Sequence, residues 1–125
     1  MVGLEGTEKK MPSDLSGGMR KRAALARLIV YRPQILLYDE PTTGLDPITA
    51  QQINELIVKT QQELKGTSII VTHDMQSALF IANRLALHRD GQIAYIDNPT
   101  SFLAIEDPTI LALRKSLAHP MKETP

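Results

Sequence analysis

The stretch from Ile35 to Asp46, ILLYDEPTTGLD, constrains this chain more than any other. Four apolar residues (Ile35, Leu36, Leu37, Tyr38) run into two adjacent carboxylates, Asp39 and Glu40, and then into Pro41 and the turn-forming Thr42, Thr43 and Gly44. A short apolar run bounded by turn signals reads as a strand buried on both faces, as in a parallel sheet. The carboxylates then stand at its C-terminal end, the edge where open α/β sheets place their ligands. A paired Asp and Glu there suit a divalent metal and a general base acting on a phosphate ester. The same two residues would also serve simply to begin a loop, and the stretch alone does not separate the readings.

The flanking segments extend an α/β pattern. Upstream, Ser16 is placed as an N-cap, and a helix is predicted from Gly17 towards Tyr31, with Ala23, Ala24, Leu28 and Ile29 at helical spacing and Pro33 as the stop. Downstream, Asp46-Pro47 signals a helix start that runs to about Leu64, with Ile48, Ile53, Leu56, Ile57 and Leu64 as its apolar face and Gly66 at its end. Thr67 to Thr72 (TSIIVT) reads as a second buried strand. It leads into His73 and Asp74, the latter capping a helix to about Asn83. Arg84 to Arg89 and Gln92 to Ile96 flank Asp90-Gly91, a hairpin signal. Pro99 to Ala104 and Pro108 to Ala118 read as short helices, and the final HPMKETP as a frayed end.

Two further features bear on chemistry. Gly17 and Gly18 open a helix whose first amides lack internal partners, which is how an anion site is built, although a glycine-rich helix opening with no ligand reads identically. Arg20, Lys21 and Arg22 lie at the wrong end of that helix for its dipole, and either face an anion or are three solvated side chains. A lone histidine is more often structural than catalytic, and His88 and His119 are left so. His73 differs in following a strand, on the same sheet edge as Asp39 and Glu40.

The 125 residues suit one small domain or a piece of a larger one, and an apolar fraction of 42% against 22% charged residues is enough for a packed core. Fourteen basic and fourteen acidic residues cancel, which argues against a nucleic-acid or anionic membrane partner bound through a general field. Cysteine is absent, excluding disulfides and thiolate metal sites. No run approaches ~18 apolar residues and no leader pattern opens the chain, so the reading is a soluble, cytoplasmic protein.

With LSGGM at 15 to 19, ILLYDEP at 35 to 41, GLD at 44 to 46 and VTHD at 71 to 74 in this order, the sequence resembles an ABC-type ATPase domain over nearly its whole length. The resemblance implies an α/β fold of the P-loop NTPase kind, cofactors ATP and Mg²⁺, and a head-to-tail dimer with a second ATPase subunit. In that dimer Leu15, Ser16, Gly17, Gly18 and Met19 would contact the γ-phosphate held by the opposite subunit. Asp39 would hold the metal, Glu40 would activate the attacking water, and His73 would sense the γ-phosphate. Asp46 would belong to the loop joining the two sites. Met19, where the commonest signature has Gln, together with PSDLSGGM and YDEPTTGLDP, is similar to ATPases of bacterial lipid-asymmetry transporters. That narrower resemblance implies a membrane permease, a lipid-binding substrate protein and a place on the inner face of the cell membrane.

No G-x-x-x-x-G-K-[ST] phosphate loop occurs in the chain. The resemblance therefore implies the C-terminal portion of one domain: 1–31 the end of a helical subdomain, 32–97 the catalytic α/β core, and 98–125 C-terminal helices and tail. A parallel sheet lacking the phosphate-loop strand would leave unpaired edges between Thr67–Thr72 and Arg84–Arg89. The chain is accordingly expected to be marginally stable or self-associating, and to show no ATP turnover alone. Two other functions fit the same motifs. One is a non-catalytic interaction subunit, the product of a split or decayed gene, that donates Leu15 to Met19 to another ATPase. The other is a non-transport ABC ATPase, which the balanced charge and the lack of a coiled-coil arm disfavour.

Overall fold

The computed structural model describes residues 1–118; the predicted frayed tail and His119 lie outside them. After a 3₁₀ turn at Pro12–Asp14 the chain forms α1 (Gly17–Ile29), β1 (Ile35–Asp39), α2 (Pro47–Leu64), β2 (Thr67–Val71), α3 (Met75–Ile81), the hairpin β3 (Leu85–Arg89) and β4 (Gln92–Asp97), α4 (Pro99–Leu103) and α5 (Pro108–Ala118). The α/β pattern predicted from the sequence is present, with a parallel pair followed by a hairpin and two helices. β1 and β2 pair in parallel from Ile35↔Thr67 to Asp39↔Val71, with α2 as the crossover. β3 and β4 pair antiparallel, and the hairpin is closed by Asp90 and Gly91 at φ +52° and +76°, as a two-residue turn of the I′ kind requires.

The parallel pair is not buried on both faces as its composition suggested. Leu36 and Tyr38 point into the core, whereas Ile35 and Leu37 are 61% and 68% exposed, and Ile69 and Val71 on β2 are 53% and 60% exposed. Alternating side chains face opposite sides of a sheet. Helices α1 and α2 supply Leu25, Ile53, Leu56 and Ile57 to one side, and no described residue buries the other. A second cluster, Leu85, Phe102 and Ile110, joins the hairpin to α4 and α5. Helix α3 links the two clusters, giving Ile81 to the first and Ala78 and Leu79 to the second, which Ala82 at its C-cap joins.

Helix faces also shift from expectation. On α1 the buried residues are Gly18 and Leu25, with Leu28 41% exposed; on α2 Ile48 is exposed, and the buried face includes Asn54 and Thr60 beside Ile53, Leu56 and Ile57. The end of α2 is made by Lys65, which adopts φ +52°, and not by Gly66. Gly66 serves a different need: a Cβ there would stand 2.6 Å from the Gln34 carbonyl oxygen, so only glycine lets the two strand starts approach. At the hairpin's far side Arg89 Nη1 donates to both oxygens of buried Asp107, at 3.2 and 3.1 Å, and Asp107 also accepts from the Thr109 amide that opens α5.

Candidate functional site

Because β1 and β2 are parallel and end in register, the segments that follow them leave the same edge of the sheet. Glu40 extends the ladder by one bond, its amide donating to the Val71 carbonyl at 2.8 Å. It then turns the chain with φ +46°, a left-handed conformation that side chains rarely adopt. Such strain persists only where the surroundings over-determine it. Here the Glu40 carbonyl accepts from Lys21 Nζ at 3.2 Å and from the Thr43 amide at 3.3 Å, while both carboxylate oxygens are engaged.

The Glu40 side chain meets His73. Nδ1 of His73 lies 2.7 Å from Oε1 of Glu40, and Thr43 Oγ1 donates to Oε2 at 3.2 Å. Burial pushes the Glu40 carboxyl up, but the hydrogen bonds from His73 and Thr43 and the His73 charge outweigh it, and the group is held below its ordinary value. Glu40 is therefore ionised at neutral pH and can only accept, so Nδ1 carries the proton of the shared bond. Nε2 makes no hydrogen bond among the described residues, and the ring is 83% exposed. A carboxylate oriented by an imidazole is equipped to accept a proton or to aim a water.

Asp39 is exposed at the strand end, and no described group hydrogen-bonds its carboxylate. No cluster of three or more His, Asp or Glu able to hold a metal gathers among the described residues. One free carboxylate fits Mg²⁺, which keeps several waters and takes phosphate oxygens in place of a full protein cage.

The glycine-rich segment sits elsewhere, against the start of α2. Ser16 Oγ accepts from the Met19 amide at 3.2 Å as the predicted N-cap, and the amides of Gly17 and Gly18 have no acceptor among the described residues. A Cβ on Gly17 would stand 3.2 Å from the flexible tip of Leu45, and one on Gly18 2.6 Å from Thr49 Cγ2, so Gly18 at least is needed for packing whether or not a ligand is bound. Asp46 caps α2 through Thr49, accepting from its amide at 3.0 Å and its hydroxyl at 2.6 Å, and those bonds hold its carboxyl below the ordinary range. The predicted residues thus form two groups: Asp39, Glu40 and His73 at the sheet edge, and Leu15 to Met19 with Asp46 at two adjoining helix starts. Their link is Lys21. Within the described residues the basic triplet bonds back to the chain: exposed Arg20 donates to the Leu15 carbonyl, Lys21 to the Glu40 carbonyl, and Arg22 to the Val2 carbonyl and the Gln52 side chain.

Sequence reasoning missed the polar cluster behind the pair. Asp74 accepts from Ser77 Oγ at 2.6 Å, from Thr42 Oγ1 at 3.3 Å and from the Gln76 and Ser77 amides, and Asn54 Nδ2 donates to Ser77 Oγ at 2.8 Å. Burial raises the Asp74 carboxyl, yet these hydrogen bonds leave it lowered on balance. Asp74 was legible as a helix cap, but Asn54 lies 23 residues from Ser77 and gives no local signal.

The family model for ABC transporters matches residues 1–43. The spermidine/putrescine import ATP-binding protein PotA of Mesomycoplasma hyopneumoniae is 46% identical over 99 residues, 79% of this chain and 22% of that protein. The aliphatic sulfonates import ATP-binding protein SsuB of Burkholderia thailandensis is 46% identical over 98 residues, 78% of this chain and 29% of that protein. The chain thus spans about a quarter of the length of these curated relatives. Among solved structures, CbiO1 of Clostridium perfringens, part of the CbiONQ transporter complex, superposes with a TM-score of 0.75 at 33% identity, covering 93% of this chain and 45% of that one. A dimeric ATP-binding cassette in a post-hydrolysis state with ADP and phosphate gives 0.61 at 37% identity, covering 70% and 37%.

Proposed function

The chain belongs to the ABC transporter ATP-binding family, and from that membership we propose that it carries the magnesium-holding and water-activating side of an ATP hydrolysis site. The observation behind the reading is the 2.7 Å contact of ionised Glu40 with His73 at the sheet edge next to Asp39. Asp39 holds Mg²⁺, which when bound neutralises phosphate charge. Glu40 takes the proton of the attacking water, steadied on one oxygen by Thr43 and on the other by His73. Nδ1 of His73 is taken up by Glu40, which leaves Nε2 for contact with a phosphate group. Ser16 and the free amides of Gly17 and Gly18 serve a second nucleotide across a dimer, and Asp46 stands between the two sites.

The phosphate-cradling loop is not among these residues, so the 125-residue chain alone is read as inactive. Fused behind the phosphate-loop segment of CbiO1, it is expected to give magnesium-dependent ATP turnover that Glu40→Gln lowers by about 10²–10⁴-fold. Turnover in the fusion that ignores Glu40→Gln would overturn the reading, as would turnover by the chain alone.

In the cell the domain works beneath a membrane permease, on the inner face of the membrane; no helix among the described residues is long and apolar enough to cross one itself. Import is the direction that the names of PotA and SsuB share. A lipid substrate rests on Met19 and its flanks alone, and the named relatives handle other substrates, so no substrate is assigned. The placement of Leu15 to Met19 away from Glu40 and His73 favours one second reading, a subunit that donates this loop to another ATPase. Nucleotide-dependent association of the chain with an intact ATPase domain, lost in Ser16→Ala, would mark that role.

A further inference from the structure

The His73 ring is 83% exposed, and among the described residues it bonds to Glu40. Something other than packing must fix the two groups at 2.7 Å. Each is attached to one end of a buried polar chain. Thr42, two residues after Glu40, is 6% exposed and donates to the carboxylate of Asp74, the neighbour of His73. The Asp74 amide donates to Thr72 Oγ1 at 3.0 Å, so His73 is bracketed by an Asp74–Thr72 bond on its own loop.

The chemistry of the chain has one consistent direction. Ionised Asp74 only accepts, so the Ser77 hydroxyl proton points to it across 2.6 Å. Ser77 Oγ then has only acceptor capacity left, which requires the amide nitrogen of Asn54 to face it, at 2.8 Å. Asn54 and Ser77 are 4% and 2% exposed, and Asn54 Oδ1 is buried with no partner among the described residues. A leucine at position 54 would fill the space between α2 and α3 without an orphaned oxygen, so stability alone does not explain an asparagine there.

We propose that Asn54 and Ser77 are positioning residues for the Glu40–His73 pair, transmitting the placement of α2 through Asp74 and Thr42 to the two loops that carry it. The functional value of this rests on the hydrolytic reading above; the geometric claim does not.

The test is the imidazole tautomer of His73, read from ¹⁵N shifts of the full chain at about pH 8.5, where histidine is ordinarily neutral. The native chain is expected to show the Nδ1–H form demanded by the bond to Glu40. In Asn54→Leu and in Ser77→Ala the ratio of Nδ1–H to Nε2–H should fall about tenfold, the equivalent of weakening one charge-assisted hydrogen bond. Ser77→Thr keeps the hydroxyl and should keep the native ratio. Thr60→Val, on the same helix but with its hydroxyl outside the chain of bonds, should not move it. Should Asn54→Leu fail to fold, the Ser77 pair decides. An unchanged tautomer in folded Ser77→Ala, or an equal change in Thr60→Val, would overturn the proposal. An Nε2–H form in the native chain would remove the Glu40–His73 bond itself. A CbiO1 fusion without turnover but with the native tautomer pattern would remove hydrolysis and leave the positioning chain standing.

Discussion

Gly18→Ala puts a number on how closely the glycine-rich segment packs on α2. The new Cβ would lie 2.6 Å from Thr49 Cγ2, whereas ordinary contact begins near 3.4 Å, so roughly 0.8 Å of separation must be found. Thr49 cannot supply it by rotating, because its hydroxyl donates to Asp46 at 2.6 Å and its amide to the same carboxylate at 3.0 Å. The helices must part instead. Overpacking of this kind costs about 1–3 kcal/mol, against a gain of up to ~1 kcal/mol for alanine over glycine in a helix. The net expectation is a loss of about 1–2 kcal/mol, or roughly 4–8 °C in Tm for a chain of this size. Urea and thermal melts of the native chain, Gly18→Ala and Gly18→Ala/Thr49→Ser check it. Removing Cγ2 while keeping the hydroxyl should recover most of the loss. Gly17→Ala meets only the flexible end of Leu45 and should cost less than Gly18→Ala. A Gly18→Ala chain as stable as the native one, or a double variant no better than the single, would refute the packing argument.

Tyr38 is buried, its hydroxyl has no partner among the described residues, and burial pushes its phenol up to about 12; Tyr38→Phe should therefore stabilise the chain by about 1 kcal/mol, measured by its urea midpoint. Ile57, 1% exposed at the centre of the first core cluster, should cost about 2–5 kcal/mol on truncation to alanine by the same measurement. Glu40, Asp46, Asp74 and Asp107 all have carboxyls held below their ordinary values of 4.5 and 3.8. Depressed folded values mean that their contribution is fully present above those ordinary values and is lost as pH falls through the lower folded ones. Thermal melts should thus show stability insensitive to these groups near neutrality and falling below about pH 4.

What the sequence disclosed was local. Asp46 followed by Pro47 fixes a helix start wherever it occurs, and Asp90-Gly91 fixes a tight hairpin turn, because cap and turn chemistry lie within a few residues. The shared edge of Asp39, Glu40 and His73 was legible too, since two parallel strands joined by a helix must end on the same side. Burial was not: ILLYD reads the same whether one face or both are covered, and here Ile35 and Leu37 face outwards. The left-handed turn at Glu40 has no glycine to announce it. Lys21 reaching the Glu40 carbonyl, and Asn54 reaching Ser77, are contacts between residues 19 and 23 apart, which no periodicity encodes. The glycines of LSGGM carried two meanings in sequence, and the structure gives them a packing role that a ligand role would have to share.

The claim that Glu40 and His73 act as one unit is tested most directly by a double-mutant cycle on single-turnover ATP hydrolysis in the CbiO1 fusion, using Glu40→Gln, His73→Ala and the pair. Groups that act together lose their effect together. The double variant should therefore be about as slow as the worse single variant. Losses that simply multiply would show two independent residues and contradict the pairing seen at 2.7 Å.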